Sequence, residues 1–441
     1  MSSSSLADRH LHGPVDETSR TKLERRDLDY RRLSVDDEGF PAWVRVVRRG
    51  FLEDEASDTK VEAIRAAQAY RRISGVYDPT TPIPDQPVAT IDSWITDLAV
   101  PGDRALPSCA ISGVGVSPTH RRRGIARAML EGELRAAQSI GVPLAMLTVS
   151  ESTLYGRYGF GVAASSTHWV IDTMRASWTG PRPDGRLDFI TPARARELLP
   201  VLHERIHPRV PGEIGVAGGV WDEYAGTRAD TKNPAKYRAV QYTDTEGEVR
   251  GVVVYWTREN NEDWALSSVT VSYLCAETDD AYAALWRFML ELDLVVEVRA
   301  DQLSVEEPLL WMISDQRAAT ITVTDHQYVR VIDVPQALEG RRYSASGRLV
   351  VDVTDPVGLS TGRWLLDVDG SGEATVTALD DEATVEGAAV VALGIEELSA
   401  AYLGGVSIAT LASAGRADVS DPALASRIFS WYRAPRLSLE Y

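Results

Sequence analysis

A strand that runs into a cluster of arginines and a glycine, and from there into an amphipathic helix, is the most constraining feature of this sequence. Residues 109–116 read as a strand. Ser117-Pro118-Thr119-His120-Arg121-Arg122-Arg123-Gly124-Ile125-Ala126-Arg127 follow, and Ile125, Met129, Leu130, Leu134 and Ala137 then recur at helical spacing until Gly141. A buried strand over 143–149 comes next, and then Ser150-Glu151-Ser152-Thr153-Leu154-Tyr155-Gly156-Arg157-Tyr158-Gly159-Phe160. The first N–H groups of a helix lack intrahelical partners and lie at its positive end, so they can hold a pyrophosphate. Gly124 lets the backbone approach such a group closely, Ala126 is small for the same reason, and the arginines add charge. Arg-x-x-Gly-x-Ala recurs by chance; the strand before it, the helix it opens and the strand that ends near a tyrosine make it specific. Coenzyme A carries a pyrophosphate of this kind. Its thioester tail would lie beside a strand end, where Val114, Gly115 and Val116 offer backbone donors and acceptors and Gly115 leaves room.

The 441 residues exceed what one core serves and suggest about three domains. Residues 1–26 are rich in Ser, Arg and Asp without periodicity and read as a disordered tail. Order is expected from a strand at 30–35, followed by a helix with Phe40, Trp43, Val44, Val47 and Phe51 on one face, capped by Asp36 or Asp37. A second helix over 58–70 and strands over 72–77 and 88–98 precede the strand described above. The break Gly180-Pro181-Arg182-Pro183-Asp184-Gly185 reads as a linker, after which the same order restarts: a strand over 187–190, a helix from Thr191, strands over 250–257 and 264–273, and a helix over 279–292. This is read as a second, degenerate copy of the first domain. Beyond residue 325 the texture is α+β, with strands over 348–353, 363–368 and 373–379 and helices over 395–403 and 422–432.

Net charge is −18, which argues against nucleic acid and anionic membranes as partners and suits cationic small molecules or basic peptides. No apolar run approaches the roughly 18 residues needed to span a bilayer, so no membrane insertion is expected. The two cysteines, Cys109 and Cys275, sit in strand-like segments, and the N-terminus lacks the pattern of a secretory leader. A cytoplasmic protein without a disulfide framework is the expectation.

The segment from Val116 to Gly124, with Ser150-Glu151 and Leu154-Tyr155-Gly156-Arg157-Tyr158-Gly159-Phe160-Gly161, closely resembles the enhanced-intracellular-survival (Eis) acetyltransferases of the GNAT superfamily. The resemblance covers nearly the whole chain after the first residues, including Val334-Pro335-Gln336-Ala337-Leu338-Glu339 and the apolar C-terminal end. It implies an α+β protein of tandem α/β GNAT domains, the second degenerate, followed by a sterol-carrier-protein-like α+β domain. The boundaries drawn are 1–26 for the tail, 27–178 for the catalytic domain, 186–320 for the degenerate copy and 321–441 for the sterol-carrier-like domain. It also implies a homohexamer built as a trimer of dimers, acetyl-coenzyme A as co-substrate, and an N-acetyltransferase acting on cationic amines such as aminoglycosides or lysine side chains. Carried over position by position, the coenzyme contacts fall on Val114, Gly115 and Val116, on Arg122, Arg123, Gly124, Ile125, Ala126 and Arg127, and on Ser150 and Glu151. Where the first domain has 121–126, the second has Cys275-Ala276-Glu277-Thr278-Asp279-Asp280-Ala281, whose acids would repel a pyrophosphate.

Acetyl transfer to an amine needs a base for the amine, a donor for the developing oxyanion and a proton for the leaving thiolate. The resemblance implies Tyr155 as general acid, and the C-terminal carboxylate of Tyr441 as general base. Glu53, Asp54 and Glu55, read as ending the first helix, and Glu440 are candidates for an acidic acceptor pocket. Two other readings compete. His203-Glu204-Arg205-Ile206-His207 matches the H-E-x-x-H pattern of zinc metalloproteases. Against it, Pro208 ends the helix at the second histidine and no third histidine follows, Glu223 being the only nearby candidate ligand, so no metal is expected. The third domain alternatively suggests a lipid-binding protein.

Overall fold

The computed structural model describes residues 3–260, 262–263, 266–380 and 383–441. The chain forms two compact units. The first is made of residues up to 164, 326–435 and 440–441, the second of 165–325 and 436–439. Among the described residues no helix is long and apolar enough to cross a membrane, and both cysteines are free and buried.

The first unit begins with two helices, α1 (Ser3–His12) and α2 (Glu17–Glu24), where the sequence reads as a disordered tail. The composition misleads because the segment is held as much by polar contacts as by apolar ones. Leu6 and Leu23 are buried, Asp16 caps α2 through Ser19 N–H (2.8 Å), and His10 enters a buried polar cluster. In that cluster Ser93 donates to Glu133 (2.7 Å) and so accepts from His10 Nε2 (2.8 Å), while Arg72 reaches Glu133 (3.3 Å) and the Pro14 carbonyl (2.7 Å). Then come β1 (Asp29–Leu33), α3 (Phe40–Gly50), α4 (Asp58–Gln68), β2 (Arg72–Tyr77), β3 (Ala89–Val100), β4 (Arg104–Val116), α5 (Ile125–Ser139) and β5 (Leu144–Thr148). The helical spacing of Phe40, Trp43 and Val44 is that of a buried face, and these side chains pack with Val61 and Ile73. Gly39, not Asp36 or Asp37, is the α3 N-cap, and the helix ends at Gly50, before the acids at 53–55.

The second unit contains β6 (Gly161–Asp172, whose first four residues belong to the first unit), β7 (Arg186–Ile190), α6 (Pro192–Ile206), α7 (Gly218–Tyr224), β8 (Tyr237–Thr243), β9 (Val249–Arg258), β10 (Ser267–Ala276), α8 (Asp279–Leu290) and β11 (Val295–Leu303). The expected strand over 264–273 starts at residues 264–265, which lie outside the described residues. Strand β12 (Ala319–Val331) returns the chain to the first unit, where α9 (Val334–Gly340), β13 (Gly347–Thr354), β14 (Gly362–Val368), β15 (Ala374–Ala378), β16 (Ala389–Gly394), α10 (Ile395–Ala401), α11 (Ile408–Ser413), β17 (Ala417–Val419) and α12 (Pro422–Phe429) follow.

Strand order in the first unit is β1-β2-β3-β4-β5-β12, antiparallel except for the parallel pair β4–β5. In the second unit it is β6-β11-β10-β9-β8-β7, with β10–β11 the parallel pair. The sequence-level expectation of a repeated order is met element by element. What the sequence does not reveal is an exchange: β12, which follows β11, pairs with β5, and β6, which follows β5, pairs with β11. A separate five-stranded sheet, β15-β14-β13-β16-β17, carries the last helices.

That last sheet is tied to the first through Arg330 on β12. Its guanidinium is fully buried, pairs with Asp355 (2.6 Å), donates to the Tyr158 carbonyl (2.8 Å) and reaches Ser360 (3.0 Å). Removing one partner of a buried, hydrogen-bonded pair leaves an uncompensated charge and costs roughly 3–5 kcal/mol. Arg330→Met is expected to lower the unfolding free energy, measured by denaturant titration, by an amount in that range, and Asp355→Asn by a smaller one; wild-type stability for Arg330→Met would contradict the pair's role.

Burial lowers the His10 pKa to about 4 against the pull of Glu133, whereas an unfolded chain's imidazole titrates near 6.5. The folded state thus binds fewer protons between these values. The stability from neutral His10 is fully present above about pH 6.5 and is lost as pH falls toward 4, by roughly 2–4 kcal/mol. Denaturant midpoints measured from pH 7 to 4 should fall less steeply for His10→Gln than for the wild type. Parallel slopes would place the acid sensitivity elsewhere.

Candidate active site

Strand β4 carries one residue more than β3 opposite it. Asp92 pairs with Ser112 but Thr90 pairs with Gly115, so the chain bulges at Gly113. Gly113 sits at φ +60°, and a Cβ there would approach the Asp92 carboxylate to 2.5 Å. Thr90 Oγ1 fixes the bulge by donating to the Gly113 carbonyl (2.8 Å). A glycine inside a strand signals a bulge, and Gly113 offered that signal unused. Strands β4 and β5 pair only from Ser108–Leu144 to Ala110–Met146 and then diverge, so Val114, Gly115 and Val116 lie beyond the paired part, half-buried.

The loop between β4 and α5 is built around Asp78. Its carboxylate accepts from Thr80 Oγ1 (2.6 Å), His120 Nε2 (3.1 Å) and Arg123 (3.4 Å). These bonds, the Thr80 hydroxyl's foremost, hold the carboxyl well below the usual range. Arg122 is held at φ +62°, a conformation that costs a non-glycine residue roughly 1–3 kcal/mol. Gly124 follows at φ +71° as N-cap of α5, with no side chain capping the first turn. Arg26 donates to the Arg123 carbonyl, and a Cβ on Gly124 would come within 2.9 Å of the Arg26 guanidinium. Arg122, Gly124 and Arg127 are exposed and Ala126 is half-buried. Ile125 is a core side chain, so only its backbone is available to a ligand.

Strand β5 ends at Thr148, and Thr148 Oγ1 donates to the terminal carboxylate of Tyr441 (3.0 Å). The Tyr441 ring meets Trp94 edge to face (centroids 5.1 Å apart), and Arg71 lies over Trp94 while pairing with buried Asp92 (3.0 Å). Burial holds the Tyr441 phenol far above its ordinary range, and its hydroxyl has no hydrogen-bond partner among the described residues. Ser150 and Glu151 are exposed just after β5. Tyr155 is half-buried and packs edge to face on Phe160; burial, aided by Glu151, raises its pKa to about 12. Thr148 escaped sequence reading, since a strand-end threonine carries no pattern of its own.

The glycines around Tyr155 have a packing reason. A Cβ on Gly156 would meet Glu396 at 2.7 Å, one on Gly159 (φ +85°) would meet Arg330 at 2.5 Å, and one on Gly161 would meet the Glu396 carbonyl at 2.1 Å. The turn carrying Tyr155 is therefore pressed onto α10 and Arg330. The proposed acceptor-pocket acids follow the end of α3 and bond to its last turn: Glu53 pairs with half-buried Arg48 (2.5 Å), Arg48 also donates to the Asp54 carbonyl (2.9 Å), and both acids are exposed. Glu440 is exposed beside the terminal residue.

In the second unit β10 bulges at the corresponding place, between Val271 and Tyr273, and parts from β11 after Val271–Ala300. Its following helix differs: Thr278 caps α8 by accepting from Ala281 N–H (3.2 Å), and Asp279 and Asp280 occupy the first turn. His203 engages both ring nitrogens, with the Ile214 carbonyl (2.8 Å) and Tyr273 (3.2 Å), and stacks on His207. Both histidines of the H-E-x-x-H pattern are thus core residues with protein partners.

Residues 29–163 match a family described as an acetyltransferase (GNAT) domain, residues 217–331 match a second such domain, and residues 334–438 match a sterol carrier protein domain. An uncharacterized N-acetyltransferase of Streptomyces avermitilis is 34% identical over 85% of this chain and 89% of its own length. The N-acetyltransferase Eis of Mycobacterium tuberculosis is 32% identical over 75% of this chain and 79% of its own. The crystal structure of Eis1 from Mycobacterium abscessus superposes with a TM-score of 0.78 at 25% identity, covering 94% of this chain and all of that one. A GCN5-related N-acetyltransferase from Anabaena variabilis shares the fold at 18% identity, with a TM-score of 0.78, over 93% of this chain and 100% of its own. The chain belongs to the Eis-like N-acetyltransferases of the GNAT superfamily, with two GNAT domains followed by a sterol-carrier domain.

Proposed function

We propose that this enzyme transfers acetyl from acetyl-coenzyme A to a primary amine of a polyamine-like acceptor, an aminoglycoside or a lysine side chain, by direct attack. Tyr155 is the general acid and the Tyr441 carboxylate the general base. The observation that carries the reading is the 3.0 Å bond from Thr148, at the mouth of the β4–β5 gap, to the terminal carboxylate. A chain end frays in solvent unless something holds it. The uncapped first turn of α5, entered through Gly124, suits the pyrophosphate; the Thr278-capped, acid-flanked start of α8 does not. The second GNAT domain is accordingly read as degenerate. The acidic balance of −18 favours cationic acceptors, with Glu53, Asp54 and Glu440 as candidate pocket residues. Action as a homohexamer, a trimer of dimers, in the cytoplasm completes the reading.

In the reaction the amine attacks the thioester carbonyl, and the Tyr441 carboxylate takes the proton the nitrogen sheds as the C–N bond forms. When the C–S bond breaks, the Tyr155 hydroxyl gives its proton to the departing sulfur. Its pKa of about 12 keeps that proton in place until a thiolate develops. Exchange with solvent returns a proton to Tyr155 and removes one from the carboxylate, and acetylated amine and coenzyme A leave.

Three variants test this in a thiol-release assay over a panel of amines that includes aminoglycosides. Gly124→Glu places a charge and a Cβ at a left-handed position beside the pyrophosphate and is expected to abolish acetyl-coenzyme A binding; normal affinity would overturn the assignment. Tyr155→Phe removes only the phenolic proton and should lower turnover by roughly 10²- to 10⁴-fold. Adding a few residues after Tyr441 moves the carboxylate and keeps every side chain, and should be comparably damaging. Unchanged turnover in that extended chain would place the base elsewhere.

A further inference from the structure

The second GNAT domain repeats the bulge and the parting of the parallel strands, and the chain's own tail reaches the bulged strand at Tyr273. Residues 436–439 belong to the second unit, while 440–441 belong to the first. Arg436 pairs with Glu213, which is 1% exposed, at 3.1 Å, and Arg436 N–H donates to the Pro211 carbonyl (2.8 Å). Ser438 donates to the same carboxylate from its hydroxyl (3.0 Å) and its N–H (3.3 Å), and that hydroxyl also lies 2.9 Å from Tyr273 Oη. Tyr273 is the β10 residue that follows the bulge, beyond the last pairing with β11. Arg436 and Tyr273, with Glu307 and Trp286, line what remains of the cleft. One carboxylate, Glu213, thus receives three donors from two tail residues. Burial works against the Arg436 charge, but the Glu213 and Glu307 carboxylates outweigh it and raise its pKa above the ordinary guanidinium value.

We infer that the cleft of the second GNAT domain serves as the receptor for the C-terminal tail, and that Glu213, Arg436 and Ser438 are positioning residues for the Tyr441 carboxylate. The inference rests on the proposed role of that carboxylate as base. The physical link is short. From Leu439 to Tyr441 the chain advances two residues, which span about 7 Å at most, so play at the anchored end passes to the carboxylate with little slack to absorb it. Glu213 holds Arg436 and Ser438 from below the tail, and Leu437 and Leu439, both buried, alternate with them as the side chains of an extended segment do. A misplacement of about 1 Å at a reacting group costs on the order of 10²-fold in rate.

The test compares Glu213→Gln, the milder Ser438→Ala and the chain extended after Tyr441, each as full-length enzyme with acetyl-coenzyme A and one accepted amine. A freed tail should lower kcat on the order of 10²-fold in Glu213→Gln, with KM for acetyl-coenzyme A unchanged. Ser438→Ala should show a smaller loss in the same parameter. Added formate, a carboxylate free to enter as base, should restore part of the turnover of Glu213→Gln and none in the wild type, and backbone hydrogen exchange over 436–441 should quicken in Glu213→Gln. Wild-type kcat in Glu213→Gln beside an inactive extended chain would overturn the inference and leave Tyr441 as base. A loss in which KM rises and formate restores nothing would show a general structural defect, and would overturn it equally. An extended chain of normal turnover would remove the underlying reading of Tyr441, and the inference with it.

Discussion

A buried guanidinium joins the pieces of the first unit. Arg330 lies on β12, the strand that pairs with β5, and it donates to Asp355 and Ser360 between β13 and β14, to the neighbouring Val331 carbonyl, and to the Tyr158 carbonyl in the turn that carries Tyr155. Burying such a charge is costly unless its hydrogen bonds are met, and here they are. Asp355 is in turn fixed by the N–H groups of Leu359 and Ser360. The arrangement explains the glycines of the 156–161 segment, since any side chain there would displace Arg330 or α10. What reads in the sequence as a catalytic signature is in large part a docking surface for the sterol-carrier domain. That domain then fixes the turn that bears the proposed acid.

The exchange of β6 and β12 gives each GNAT sheet its sixth strand from the far side of the chain's own sequence. Both sheets keep the same two devices, a bulge in the strand that leads to the helix and a parallel pair that parts early. They differ in the helix that follows. In the first, an uncapped start at a left-handed glycine leaves backbone donors outward; in the second, Thr278 takes one of those donors inward. Physical chemistry alone thus separates a helix start suited to a phosphate from one that is not.

Much of this was legible from residues. The helical face of α3, the β4–loop–α5–β5 succession and the repeat after the 180–185 linker all follow from periodicity and breakers, because burial of one face is what those patterns record. The helices α1 and α2 were not legible, since His10, Ser19 and Asp16 secure them through polar bonds to Ser93, Ala128 and Arg135, which no local pattern encodes. The strand exchange was hidden for a similar reason: pairing partners are set by tertiary register, and β12 shows exposed side chains over its first half. At the candidate site, Gly124 and Tyr155 announce themselves by context. Thr148 and Asp78 do not, because each matters only through what distant chain brings to it.

The account turns on a carboxylate that belongs to no side chain. Its most direct test replaces the Tyr441 α-carboxylate by an amide through ligation of a synthetic C-terminal segment, which removes the charge and keeps every atom of the side chain and nearly every contact. With the base gone, kcat should fall by roughly 10²- to 10⁴-fold, and the acidic limb of the pH–rate profile should disappear. An amidated enzyme that keeps wild-type kcat and the same acidic limb would contradict the account.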